Sequence, residues 1–169
     1  RPTGGTISGA GVRCGARGAD CTARRPVGDA IELTPEPDSG YTFVGYSGAG
    51  YERVDAMLER ATDFLRSEDP STTLVNIGAT PEGIGAVYEL AKDMGFTTMG
   101  IVSSRARQEN VAWSRCVDQV FVLNDPSWGG RSAETGELSP TSNAMVNASS
   151  LVIGIGGGDI ARDEMLAAK

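Results

Sequence analysis

The chain contains no histidine. That absence removes the commonest general base, the Ser-His and Cys-His nucleophile pairs, and most zinc sites. Any catalysis must use carboxylates, Lys or Arg, hydroxyls, backbone dipoles or a bound cofactor. No cofactor and no metal signature is legible, and none is expected. Long apolar runs are also missing, and no stretch is long enough to span a bilayer. Positive charge is scarce: 15 Lys and Arg stand against 22 Asp and Glu, a net charge of −7. A nucleic-acid surface is not expected, because the phosphate backbone would be repelled. Small anionic ligands stay open, since backbone N–H groups bind them locally. Only three cysteines occur. Cys116 reads as a small apolar residue late in a helical segment. Cys14 and Cys21 lie close together, but spacing alone does not decide whether they are joined. No signal peptide is visible, and a cytoplasmic location is expected; the first residue is Arg1 rather than Met, so a removed leader stays open. Lys169 falls inside a helical pattern, so the domain reads as cut at its C-terminus.

Glycine, in contrast, is abundant, with 23 residues. Its most informative cluster follows Leu151-Val152-Ile153-Gly154-Ile155, an apolar run that suits a buried strand. Gly156, Gly157 and Gly158 then let the chain turn sharply and admit a ligand close to the backbone. Asp159 reads as the N-cap of a helix whose apolar face carries Ile160, Ala161, Met165 and Leu166. A strand, a glycine turn and a helix start together make a corner suited to anions.

Residues 1–40 differ in texture from the rest, being rich in Gly, Arg and Pro with little helical periodicity. Short strands are predicted near 5–8 and 30–34, and residues 35–40 read as a turn or linker. From residue 41 the pattern becomes regular. Strands are predicted at 41–46, 72–77, 97–102, 117–123 and 151–155, with helices between them. Thr80 as N-cap and Pro81 as first helical residue predict a helix running to Met94. A weaker helix is predicted over 105–116, and Ser139-Pro140 starts another. The alternation predicts an α/β fold: a Rossmann-like parallel sheet of about five strands with helices on both faces. Residues 1–40 are expected to lie outside this core as an arm, with 41–169 as the binding domain. In such sheets ligands sit at the carboxyl ends of the strands.

Three blocks carry a resemblance. Leu74-Val75-Asn76-Ile77-Gly78-Ala79-Thr80-Pro81-Glu82-Gly83-Ile84-Gly85, running on to Gly100-Ile101-Val102, resembles one block of the Lonely Guy (lysine-decarboxylase-like) proteins. The stretch from Gly156 to Glu164 resembles that family's Gly-Gly-x-Gly-Thr-x-x-Glu loop, and Tyr46-Ser47-Gly48 sits where the family has its first nucleotide-contacting loop. The likeness covers 41–169 and implies a SLOG-superfamily nucleotide-binding domain. It also implies hydrolysis of the N-glycosidic bond of a nucleoside 5′-monophosphate. Two departures stand out. Ile160 and Ala161 replace the Gly-Thr pair, and the helix over 140–147 lacks the Arg that assists cleavage in the family. Parts of 11–48 resemble a bacterial extracellular β-repeat, without that repeat's further Cys and final strand.

The expected ligand is a nucleotide or nucleotide-derived phosphosugar, bound by Ser47, Gly48, Gly78, Thr80, Gly83, Gly156, Gly157, Gly158 and Asp163. Glu164 and Arg162 are the candidate catalytic pair: a carboxylate for the developing ribose charge and a cation for the phosphate. Adjacent helical positions point about 100° apart, so the two converge on one pocket only if the first turn is distorted. Trp128, in the loop 124–138, is a candidate for base stacking or for covering the core edge. Two alternatives remain. Residues 100–104 and 114–122 resemble the phosphosugar-binding sugar-isomerase (SIS) module, and a non-catalytic sensor or interaction domain is the other. A homo-oligomer is expected.

Overall fold

Short apolar runs after residue 40 build strands, and the segments between them coil back as helices. The computed structural model of the protein describes residues 5–15, 18–22, 34–37 and 39–168. Four short strands come first: β1 (Gly5–Gly9), β2 (Val12–Gly15), β3 (Gly18–Asp20) and β4 (Thr34–Pro37). They pair antiparallel in the order β3-β2-β1-β4. Cys14 and Cys21 are joined by a disulfide. The predicted strand at 5–8 is β1, while 30–33 lies outside the described residues. Residues 35–40 are not a simple linker, because they carry most of β4 and the start of the next strand. Pro35 and Pro37 are accommodated because β4 is an edge strand, where a missing N–H leaves no ladder partner unsatisfied.

The larger unit contains β5 (Ser39–Gly45), α1 (Val54–Leu65), β6 (Thr73–Ile77), α2 (Val87–Asp93), β7 (Thr97–Ser103), α3 (Ser104–Gln108), β8 (Gln119–Leu123), α4 (Pro140–Asn147), β9 (Leu151–Ile155) and α5 (Asp159–Ala167). Its five strands are all parallel, in the order β8-β7-β6-β5-β9. This is the α/β, Rossmann-like architecture that the alternation predicts. The chain steps outward from β5 through β6, β7 and β8, then crosses back to place β9 on the other side of β5. The strand order therefore reverses between β5 and β9, and a crevice forms beyond their carboxyl ends.

β6 is buried along its whole length, as a central parallel strand must be. Successive residues face opposite ways. Val75 and Ile77 join Phe43 and Ile153 against Met57, Ala61 and Leu65 of α1 and Val87, Tyr88 and Ala91 of α2. Leu74, Met99 and Ile101 pack on the other face against Met145 of α4 and Ala148, which follows it. The buried Tyr88 hydroxyl lies 2.8 Å from the Ile77 carbonyl and 2.7 Å from that of Met99, and it accepts from the Ala79 N–H at 3.2 Å. One phenol thus ties the carboxyl end of β6 to the neighbouring β7.

Three local expectations need correction. The helix predicted from Pro81 begins later: a short 3-10 turn at Gly83–Ala86 leads into α2. Ala79 (φ 54°) and Gly83 (φ 59°) bend the chain out of helical geometry first. Thr80 Oγ1 accepts from the Glu82 N–H at 3.2 Å and so closes a turn rather than capping a helix. A Cβ at Gly83 would stand 2.2 Å from the Tyr46 carbonyl oxygen, so glycine is needed there for close packing. The helix predicted over 105–116 reduces to α3, which Ser103 caps; Asn110, at φ 52°, turns the chain away two residues after α3 ends. The N-cap of α5 is Gly158, and Asp159 is the first helical residue.

Candidate functional site

A cavity of about 820 Å³ opens at the carboxyl ends of β5, β6 and β7, with α4 and the start of α5 forming one wall. Its size suits a ligand of nucleotide dimensions. Among the described residues, those that line it lie between Phe43 and Glu164. Ser47 and Gly48, after β5, and Gly78 and Thr80, after β6, line it, as do Gly158 and Glu164. Gly83, Gly156, Gly157, Arg162 and Asp163 are not among the lining residues.

Local packing accounts for that division. Gly157 has φ 116°, and a Cβ there would stand 2.5 Å from the Ala161 Cβ. A Cβ at Gly156 would meet the Tyr46 ring at 2.9 Å. Backbone conformation and helix–strand packing thus call for both glycines. Gly158 differs: nothing lies within 4 Å of a Cβ built on it, and it faces the cavity. It caps α5 without a side-chain hydrogen bond, so the first-turn N–H groups have no side-chain acceptor from the cap.

Two steps of about 100° carry Arg162 and Glu164 to different sides of α5. Arg162 turns outward, with Nη1 3.0 Å from Asp159 Oδ1 and Nη2 3.5 Å from Asp163 Oδ1. Asp163 Oδ2 accepts from the Arg131 N–H at 3.0 Å, fastening the loop 124–138 to α5. Glu164 turns inward and is only 5% exposed. Ser142 Oγ donates to its Oε1 at 2.6 Å and accepts from the Gly130 N–H at 2.7 Å. Burial pushes the Glu164 carboxyl up to about 7; the Ser142 hydrogen bond opposes that rise and the Asp163 charge adds to it. Near neutrality this carboxyl is therefore poised between its two protonation states. Among the described residues, the charged ones lining the cavity are Glu82, Asp159 and Glu164.

Sequence reasoning missed several participants. Asp125 is 1% exposed. Burial disfavours its charge, but the Ser127 hydroxyl and N–H and the Thr141 N–H, at 2.6, 2.8 and 3.0 Å, hold its carboxyl down at about 2. It pins the loop after β8 to the start of α4. The Asp-x-Ser spacing, a local side-chain-to-backbone turn signal, would have found half of this arrangement. Ser142 reads from sequence as a capping residue; the cap is Ser139, and Ser142 serves Glu164 instead. Trp113 lay hidden inside the helix predicted over 105–116, yet it lines the cavity from an irregular segment.

No family model matches the chain, and no curated protein matches it. Solved structures do. The crystal structure of TM1055, a structural-genomics target, aligns with a TM-score of 0.54 at 22% identity, over 77% of this chain and 68% of that one. The molybdenum cofactor carrier protein MCP from Chlamydomonas reinhardtii aligns with a TM-score of 0.55 at 16% identity, over 78% of this chain and 70% of that one. Similarity at these identities is similarity of fold. Together with the strand order, it gives this chain the α/β, Rossmann-like fold of these two structures.

Proposed function

We propose that residues 41–169 bind a nucleotide or nucleotide-derived phosphosugar in this cavity, with Glu164 against its sugar. The observation that carries the reading is the position of Glu164: a buried carboxyl on the wall of an 820 Å³ cavity, at the reversal of strand order. The open first turn of α5 offers backbone N–H groups to a phosphate. Ser47, Gly48, Gly78 and Thr80 complete the ligand contacts from the ends of β5 and β6. Gly83, Gly156 and Gly157 support the site by shaping its backbone, and Asp163 by holding the loop 124–138.

Binding is favoured over hydrolysis. N-glycosidic cleavage needs a carboxylate near the anomeric carbon and a cation to align the phosphate. Glu164 meets the first need, whereas Arg162 is held by Asp159 and Asp163 outside the lining. A binding or carrier role, which needs no cleavage, is in keeping with the neighbour whose name is that of a cofactor carrier. The test is free base released from nucleoside 5′-monophosphates by wild type, Glu164→Gln and Arg162→Ala. We expect little or no release. Any release that occurs should rise as pH increases through about 7, where Glu164 ionises, and should be abolished in Glu164→Gln. Robust release in both variants would remove Glu164 and Arg162 from the chemistry. The same proposal includes a homo-oligomer, which sedimentation of the purified chain checks.

A further inference from the structure

The chain has two tryptophans, and both line this cavity. Trp113 and Trp128 remain 39% and 43% exposed. Large aromatic rings usually bury more of their area than this. They come from separate segments, and each segment is fastened. Beside Trp113, the Ser114 N–H donates to the Ala79 carbonyl and the Val111 N–H to that of Ala106, both at 2.9 Å. Beside Trp128, Asp125 anchors the loop, Ser127 Oγ accepts from the Gly129 N–H at 3.1 Å, and the Arg105 guanidinium sits 4.9 Å from the Trp128 ring centre. The segments that carry the rings are thus fastened while much of each tryptophan stays uncovered. Val111 and Ile160 extend the apolar lining around them. Among the described residues, the charged side chains of the lining are all acidic.

We infer that the cavity selects its ligand by a planar heterocyclic base seated against Trp113 and Trp128. Base-bearing nucleosides and nucleotides are its ligands, and base-free sugar phosphates are excluded. The inference rests on the nucleotide reading above and names the part of the ligand that is recognised. Stacking on an aromatic face tolerates any base, so AMP and GMP should bind comparably. The site discriminates between a ring and none, more than between one ring and another.

The test combines calorimetry with tryptophan emission, which in this chain reports only on the two cavity rings. Wild type is titrated with AMP, adenosine and ribose 5-phosphate. AMP and adenosine should bind and change the emission, and ribose 5-phosphate should bind at least about thirty-fold more weakly. Trp113→Ala and Trp128→Ala should each weaken AMP about ten-fold, while Trp113→Phe and Trp128→Phe, which keep a ring, retain most of the affinity. Thermal melting of each variant separates lost folding from lost stacking. AMP binding that leaves emission and both Ala variants unchanged would overturn the base seat and leave the nucleotide reading standing. Ribose 5-phosphate binding as tightly as AMP would do the same. Heat from none of the three ligands would overturn both.

Discussion

Glu164 is an acid in the first turns of a helix, where most acids simply favour the dipole. Its burial changes what it does. An unfolded glutamate titrates near 4.5, and the folded carboxyl is pushed up to about 7. Between those values the folded chain holds a proton that the unfolded chain has released, so this residue's contribution to stability declines as pH rises from about 4.5 to 7 and stays lost above. The size is on the order of 2–3 kcal/mol. Glutamine keeps an acceptor for the Ser142 hydroxyl and carries no charge. Glu164→Gln should therefore melt close to wild type at pH 5 and roughly 5–10 °C above it at pH 8.5. A gap that stays constant with pH would mean that the carboxyl is not held as the structure places it. Glu164 and Arg162 were both visible in the sequence as neighbours of the triple glycine. Their opposite orientations followed from helical geometry, but the partners that hold them did not. Asp159, Asp163 and Ser142 could be assigned only once α4 and the loop 124–138 were seen against α5.

At the scale of the element, β9, the glycine turn and α5 were legible because an apolar run, three small residues and a new periodicity follow one another without interruption. The roles of the individual glycines were not legible, because conformational need and ligand approach ask for the same residue. The structure separates them. Gly157→Ala would force a positive φ on alanine and press its Cβ against Ala161. It should cost about 2 kcal/mol or more. Gly158→Ala meets no neighbour and has an ordinary extended backbone, so melting should move by less than about 2 °C. Its methyl group projects at the cavity, and the expected effect is weaker ligand binding. Melting curves of the two variants check this contrast, and equal destabilisation would contradict it. The helix predicted over 105–116 failed for a related reason. Its periodicity suited a helix, but Ser103 and Asn110 confine α3, and the freed segment brings Trp113 to the cavity.

For the whole molecule, strand–helix alternation was enough to foresee a parallel sheet, since that pattern has few solutions. It did not reveal the strand order, which depends on where β9 returns. That return beside β5 creates the crevice, so the site's location was only partly legible. The antiparallel ribbon of β1 to β4 was least legible, its strands being short and interrupted by Gly and Pro. Among the described residues, no helix is long and apolar enough to cross a membrane. The Cys14–Cys21 disulfide and the expected cytoplasmic setting make opposite demands on compartment, and alkylation of thiols in intact cells decides between them. Among the described residues, none of the ribbon lines the cavity. Reducing the disulfide should therefore leave ligand affinity unchanged within about two-fold, and a larger loss on calorimetry would tie ribbon and site together.

The crevice at the carboxyl ends of β5 and β6, beside α5, is proposed to hold a nucleotide-class ligand. The most direct test of that proposal is thermal melting of the purified chain with AMP, ADP-ribose, NAD and a set of sugar phosphates. At a hundred-fold excess over the dissociation constant, a ligand of the folded state adds about 2.7 kcal/mol. That corresponds to a rise of roughly 5–10 °C for a chain of this size. At least one nucleotide should give such a rise, and Gly158→Ala should diminish it. A rise with a sugar phosphate and with no nucleotide would contradict the account in favour of an isomerase-like site. No rise with any of them would contradict it in favour of an interaction domain.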